Sequence, residues 1–189
     1  MIYLVSGFMR SGTSMMMKAL IEGGMEAAFS PERDKRLNDR WGEPDTPNGY
    51  QPNAEYFELN GADYRGAEFP LQYEGKLIKC LWVGLTRIPN SEYRCIFMRR
   101  PRKDIELSCL AAFGNAPQPV QAHDFDQLMA RITEVVRDRR SFVSVDEVWY
   151  DDVLSEPLTV FRKLQWDGWP IDPYLAANVP SREKKRYAA

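Results

Sequence analysis

The sequence predicts a three-layer α/β fold: a single domain over 1–189 with a central, mainly parallel sheet of about five strands. Three observations carry that expectation. Short apolar runs recur at residues 1–6, 25–29, 76–83, 93–98 and 142–148. Helical patterns separate most of these runs. The first run passes through a glycine-bounded turn straight into a helix. Ligands of such sheets bind beyond the carboxyl ends of the strands, so the loops at 7–12, 30–54 and 99–104 are expected to share one rim.

Each element has its own signal. Residues 1–6 form a short apolar run, as a strand buried on both faces requires, and stop at Gly7. Residues 12–22 have helical spacing and end at Gly23-Gly24. Residues 25–29 suit a second strand. Residues 30–54 hold four prolines and two glycines among many charges and read as a long loop or broken helix, a substrate loop or lid. Residues 76–83 and 93–98 suit the third and fourth strands. Residues 101–113 read as a helix with Pro101 in its first turn, followed by a proline-containing loop at 115–123. Apolar side chains at 125, 128, 129, 132, 135 and 136 mark an amphipathic helix over 124–140. Residues 142–148 suit a fifth strand, and 156–166 a helix with Pro157 near its start. The tail at 181–189 is basic, and a loose end is expected there.

Composition narrows the function classes. A chain of 189 residues buries about 70% of its unfolded surface, enough for a core without staples. Lys plus Arg number 25 and Asp plus Glu 27, a net charge of −2, which argues against a generally basic nucleic-acid binder. Cys80 and Cys95 sit in apolar runs and Cys109 in a helical pattern, so all three read as buried thiols in a reducing compartment. None has metal-ligand spacing and the chain has one histidine, so no metal site is expected. No apolar run is long enough to span a bilayer, and the first residues lack a signal-peptide pattern. A cytoplasmic location without membrane attachment is the expectation.

Two motifs carry chemistry. The first is Gly7-Phe8-Met9-Arg10-Ser11-Gly12-Thr13-Ser14 between strand and helix. Its G-x-x-x-x-G spacing lets backbone N–H groups and the helix dipole cradle a phosphate. A nucleoside-triphosphatase loop would continue with Lys; Thr13 stands there instead, and the only cation in the loop is Arg10. The loop can hold a 5′-phosphate but lacks the usual means of handling a γ-phosphate. Met15, Met16 and Met17 read as packing. The second motif is the stretch from Arg94 to Lys103, with five cations in ten residues at the end of a strand. Cations at a helix start oppose its dipole, so their clustering points to an anion. Arg100 with Ser108 suits a second phosphate, whereas Arg102 and Lys103 read as exposed.

Together these motifs resemble the sulfotransferase superfamily. Its first signature, a strand followed by Pro-(Lys/Arg)-Ser-Gly-Thr-(Thr/Ser), is matched by Met9 through Ser14 except that Met9 replaces Pro. Its second, a strand ending in Arg with Ser eight residues later, is matched by Arg100 and Ser108, with Arg99 one residue out of register. The chain looks closer still to bacterial sulfotransferase-like proteins carrying Arg-Ser-Gly-Thr-Ser-Met-Met-Met, a Gly-Gly stop and an Asn/Thr-Pro-x-Gly-Tyr segment. The corresponding residues are Arg10 through Met17, Gly23-Gly24 and Thr46 through Tyr50. Tyr150 through Pro157 is similar to the family's Tyr-Glu-Asp-Leu-x-x-x-Pro strand-to-helix junction. The likeness covers residues 1 to about 165 and is least specific over 60–90. The Gly-x-x-Gly-x-Trp-Lys segment of the cytosolic animal enzymes is absent, and the basic tail is a candidate to replace its phosphate contacts.

The resemblance implies a P-loop-type fold and sulfonate transfer from 3′-phosphoadenosine 5′-phosphosulfate to a hydroxyl or amine on a small-molecule or glycan acceptor. It implies nucleotide contacts by Arg10, Ser11, Gly12, Thr13, Ser14, Arg100 and Ser108. Such transfer is an in-line displacement in which charge develops on the leaving phosphate, and Arg10 and the loop amides can stabilise it. Relatives use a His or a Glu as general base. Glu32 follows the second predicted strand and is the leading candidate; His123 matches no family position, and Glu26, Asp34 and Glu55 are poorer. Lys79 can reach a sulfonate, or can be an edge-strand lysine. Two other readings stay open. One is a small-molecule or nucleoside kinase, in which Asp146 at the end of Phe142-Val143-Ser144-Val145 would hold Mg²⁺. The other is a non-catalytic nucleotide-binding module.

Overall fold

Four strands pair in parallel, β1 (Ile2–Gly7), β2 (Leu77–Lys79), β3 (Tyr93–Arg99) and β4 (Phe142–Trp149), in the spatial order β2-β1-β3-β4. The structure is a computed structural model that describes residues 1–28, 71–114, 122–138 and 141–180. In the two central strands consecutive side chains are apolar because both faces are covered. Leu4, Cys95 and Phe97 join one core; Val5, Ile96 and Met98 join another on the opposite face.

Each face is covered by helices. The first core takes Ile105 and Cys109 from α3 (Arg102–Phe113) and Phe125, Met129, Ile132 and Val136 from α4 (Ala122–Asp138). The second takes Met16, Met17, Ala19 and Leu20 from α1 (Thr13–Glu22), Val153 from α5 (Tyr150–Ser155), Phe161 and Leu164 from α6 (Pro157–Trp166), and Ala176 from α7 (Pro173–Ala177). A short α2 (Trp82–Leu85) follows β2. The layers are thus helix, sheet, helix. Trp169 is fully buried, and its indole N–H donates to Asp146 Oδ2 at 2.8 Å. No helix among the described residues is long and apolar enough to cross a membrane.

Four strands are described where five were expected. Residues 25–28 make one parallel bridge, Ala27 to Leu77, and no ladder. The Met25 N–H is turned back to Leu20 O at the end of α1, leaving only Glu26 O and Ala28 N–H to face Leu77. The strand expected over 76–83 stops at Lys79. Its last rung, Cys80 N–H to Val5 O, comes as β1 nears its end, and the chain then coils into α2. Pro101 caps α3 from outside, with ψ of 137°, instead of lying in its first turn. His123 belongs to α4 and not to a loop. All three cysteines are buried. The expected loop at 30–54 and the basic tail lie outside the described residues.

Candidate functional site

β1 ends at Gly7, where the chain takes φ of +149°. A Cβ there would lie 2.5 Å from Ser11 Oγ and 2.7 Å from Met98 O, so the loop can close over β3 only with glycine. Arg10 has φ of +63°, an uncommon conformation for a non-glycine residue. Gly12 caps α1 with φ of +101°, and a Cβ would meet the Tyr150 ring at 2.5 Å. Gly12 itself brings no side chain to cap the first-turn amides of α1. Those amides and the positive end of the dipole face the mouth of the loop.

A cavity of about 170 Å³ opens there. Arg10, Gly12, Thr13 and Ser14 line it from the loop and α1, Lys79 from the end of β2, Arg100 from just beyond β3, and Ser108 from α3. These seven sequence-selected residues therefore meet in one place, although they come from three separate stretches of chain. Arg10 Nε donates to Ser108 Oγ at 3.0 Å, and Arg100 Nη1 donates to Arg10 O at 3.0 Å, which ties the two motifs together. Lys79 is almost fully buried despite lying on an outer strand, and its Nζ donates to Ser14 Oγ at 3.3 Å.

The adjacent arginines part company. Arg100 has a side chain only 7% exposed; its guanidinium lies 4.3 Å from the Tyr150 ring centroid, with Nε 3.9 Å from Asp104 Oδ2. Arg99 turns to Glu147 at 3.3 Å, sharing that carboxylate with Arg137 at 3.0 Å. Arg102 pairs with Glu106 at 2.6 Å, and Lys103 is exposed.

Ser11 is fully buried but does not line the main cavity; it backs the loop. Met16 and Met17 are core, while Met15 reaches the cavity wall. Glu26 is an exposed partner of Lys76 at 2.7 Å. Asp146 is engaged by Trp169 and by Ser144 Oγ at 3.4 Å. Glu32, Asp34, Glu55 and the 30–54 aromatics lie outside the described residues. Sequence reasoning overlooked Tyr150 and Asp104 as parts of the site. The Tyr150 signal was present as an aromatic directly after the last strand, but its contact with Gly12 and Arg100 is a product of the fold.

Burial raises the Cys109 thiol pKa above its ordinary value, against the pull of the nearby Arg10 and Arg100 charges. Cys95 is raised well above it, by burial first and by Cys80 and Asp146 after.

In chemical terms the cavity offers the amides at the start of α1, two guanidinium groups, one ammonium and the hydroxyls of Thr13, Ser14, Ser108 and Tyr150. That set suits an anion with oxygens on more than one side. No protein-family model matches the chain, and a search of curated proteins returns no match.

Proposed function

We propose that this protein transfers a sulfonate group from 3′-phosphoadenosine 5′-phosphosulfate to a hydroxyl or amine of a small-molecule or glycan acceptor. One observation carries the reading: Arg10 and Arg100, with Ser108, are hydrogen-bonded to one another around the cavity at the glycine-capped start of α1. Two anion-binding groups held together in this way fit a ligand with phosphates at the 5′ and 3′ positions of one ribose. The loop amides, Thr13 and Ser14 take the 5′ side; Arg100 and Ser108 take the 3′-phosphate.

In the reaction the acceptor oxygen or nitrogen forms a bond to sulfur as the bond from sulfur to the 5′-phosphate oxygen breaks. Negative charge collects on the departing phosphate, where Arg10 and the amides stabilise it. Lys79, held beside Ser14, neutralises the oxygen between sulfur and phosphorus. The acceptor proton goes to a base, for which Glu32 is the candidate. The products are a sulfated acceptor and adenosine 3′,5′-bisphosphate.

A kinase would need a carboxylate for Mg²⁺ near the loop. Asp146, its best candidate, hydrogen-bonds the buried Trp169, which favours the sulfonate reading.

Thermal unfolding with adenosine 3′,5′-bisphosphate, AMP, and ATP with Mg²⁺ tests the proposal. A ligand at 100 times its Kd adds about 2.7 kcal/mol, a rise of about 5–10 °C for a chain of this size. The bisphosphate is expected to give that rise and AMP much less. A rise with ATP and Mg²⁺ alone would transfer the protein to the kinases. No rise with any of them would leave a scaffold without nucleotide chemistry.

A further inference from the structure

Behind the glycine-bounded loop, on the side away from the main cavity, lies a second cavity of about 10 Å³. Ser11, Arg99 and Arg100 line it, with Phe8, Met98 and Phe125 as apolar wall. The exposed Asp126 also borders it. Three of its polar residues have a buried side-chain atom without a hydrogen-bond partner among the described residues: Ser11 Oγ, Arg99 Nε and Arg100 Nε. Ser11 is fully buried, and the Arg100 side chain is more than nine-tenths buried. The remaining such atom, Ser6 Oγ, belongs to a residue that does not line this cavity. The carboxylates paired with the two arginines do not resolve the matter. Glu147 stands 3.3 Å from Arg99 Nε and Asp104 3.9 Å from Arg100 Nε, and neither makes an aligned hydrogen bond.

Buried polar atoms are almost always satisfied, by protein or by ordered water. Three residues with an orphaned atom line a single void, which points to one shared partner. Size and donor chemistry select it. About 10 Å³ is the space of one water molecule, and a water has the two to four polar partners it needs here. We infer that one ordered water occupies this cavity and joins Ser11 to Arg99 and Arg100. It accepts from the arginine Nε–H groups and donates to the Ser11 hydroxyl oxygen. A halide would find the same N–H and O–H donors, but it is larger than the void. The water fixes the back of the loop to the end of β3, so that Arg100 Nη1 stays directed at Arg10 O. Its existence does not depend on what the main cavity binds.

A high-resolution crystal structure grown in bromide, with anomalous data, decides the point. Expected is a single peak about 2.7–3.2 Å from Ser11 Oγ and from at least one Nε, with no anomalous signal. An anomalous peak in the cavity would replace the water with a halide site, and a cavity without density would overturn the inference. Crystals of Ser11→Ala are expected to show the peak weakened or gone. A peak unchanged in place and strength would remove Ser11 from its coordination.

Discussion

Replacing Arg100 with alanine separates the two roles its geometry gives it. In the protein, Nη1 makes a 3.0 Å hydrogen bond to Arg10 O, the guanidinium lies 4.3 Å from the Tyr150 ring centroid, and Asp104 is 3.9 Å away. A hydrogen bond from a charged donor contributes about 1.5–3 kcal/mol. A desolvated cation–π contact adds about 1–2 kcal/mol. The long ion pair to a partly exposed carboxylate adds less than about 1 kcal/mol. Removing one of several clustered cations offsets part of this, so Arg100→Ala should lose about 2–4 kcal/mol of stability. A 3′-phosphate would lose a forked, charge-assisted contact of similar size, about 2–4 kcal/mol, or about 30- to 700-fold in Kd. Calorimetric titration of wild type and variant with adenosine 3′,5′-bisphosphate and with AMP separates the effects. The bisphosphate should fall to the affinity of AMP while AMP itself barely changes. Equal losses for both ligands would mean that Arg100 acts only by supporting the Arg10 loop. No loss for either would remove it from the binding site.

Arg10→Ala should reduce turnover far more than bisphosphate affinity, because its charge is needed most as the phosphate departs; equal losses in steady-state kinetics would contradict this. Tyr150→Ala removes a buried ring from Gly12 and Arg100 and should cost about 3–5 kcal/mol in urea unfolding, while Tyr150→Phe keeps the ring and should stay within about 1 kcal/mol. Asp146→Ala leaves the buried Trp169 N–H unpaired and should cost about 1.5–3 kcal/mol with turnover preserved; a collapse of turnover in folded protein would revive a Mg²⁺ role. Because Cys95 and Cys109 are raised in the folded state, their contribution to stability is complete below the unfolded thiol pKa of about 8.5 and is lost as pH climbs through the folded values. Denaturant unfolding from pH 8 upward should show this decline, shallower in Cys95→Ala; an identical slope would exclude the Cys95 thiol as its source.

The readable parts of the fold were those whose signal is local. The apolar run of β1, the glycine stop of α1 and the spacing of Phe125, Met129, Ile132 and Val136 each lie within one element. The length of β2 is not local: it ends at Lys79, opposite Val5, where the chain leaves β1 and coils into α2. The bridge at Ala27 likewise depends on where the end of α1 directs the Met25 N–H. The site divides in the same way. Loop glycines, Arg10, Arg100 and Ser108 are visible as motifs. The backward turn of Ser11 depends on the left-handed Arg10 backbone, and the Tyr150 contact on packing between distant segments. Residue types in a pattern do not report either.

Sheet register is what turns these motifs into one cavity. Parallel pairing sets Gly7 beside Met98 and Val5 beside Lys79, so the ends of β1, β2 and β3 reach one rim. Two residues past Met98 the chain presents Arg100 to the cavity, while Arg99, paired with Trp149 in register, faces Glu147. Side chains alternate across a strand, and a slip of one residue in β3 would exchange the two arginines and bury Arg100 against the wrong layer. Both faces are apolar, so what opposes that slip is shape: it would push Ile96 and Met98 into the space of Cys95 and Phe97, and the reverse, in two close-packed cores. The fit of side chains on both faces of the strand therefore selects which of two neighbouring cations faces the main cavity. Arg99 serves as the internal control: chemically identical and one residue away, it faces Glu147 instead.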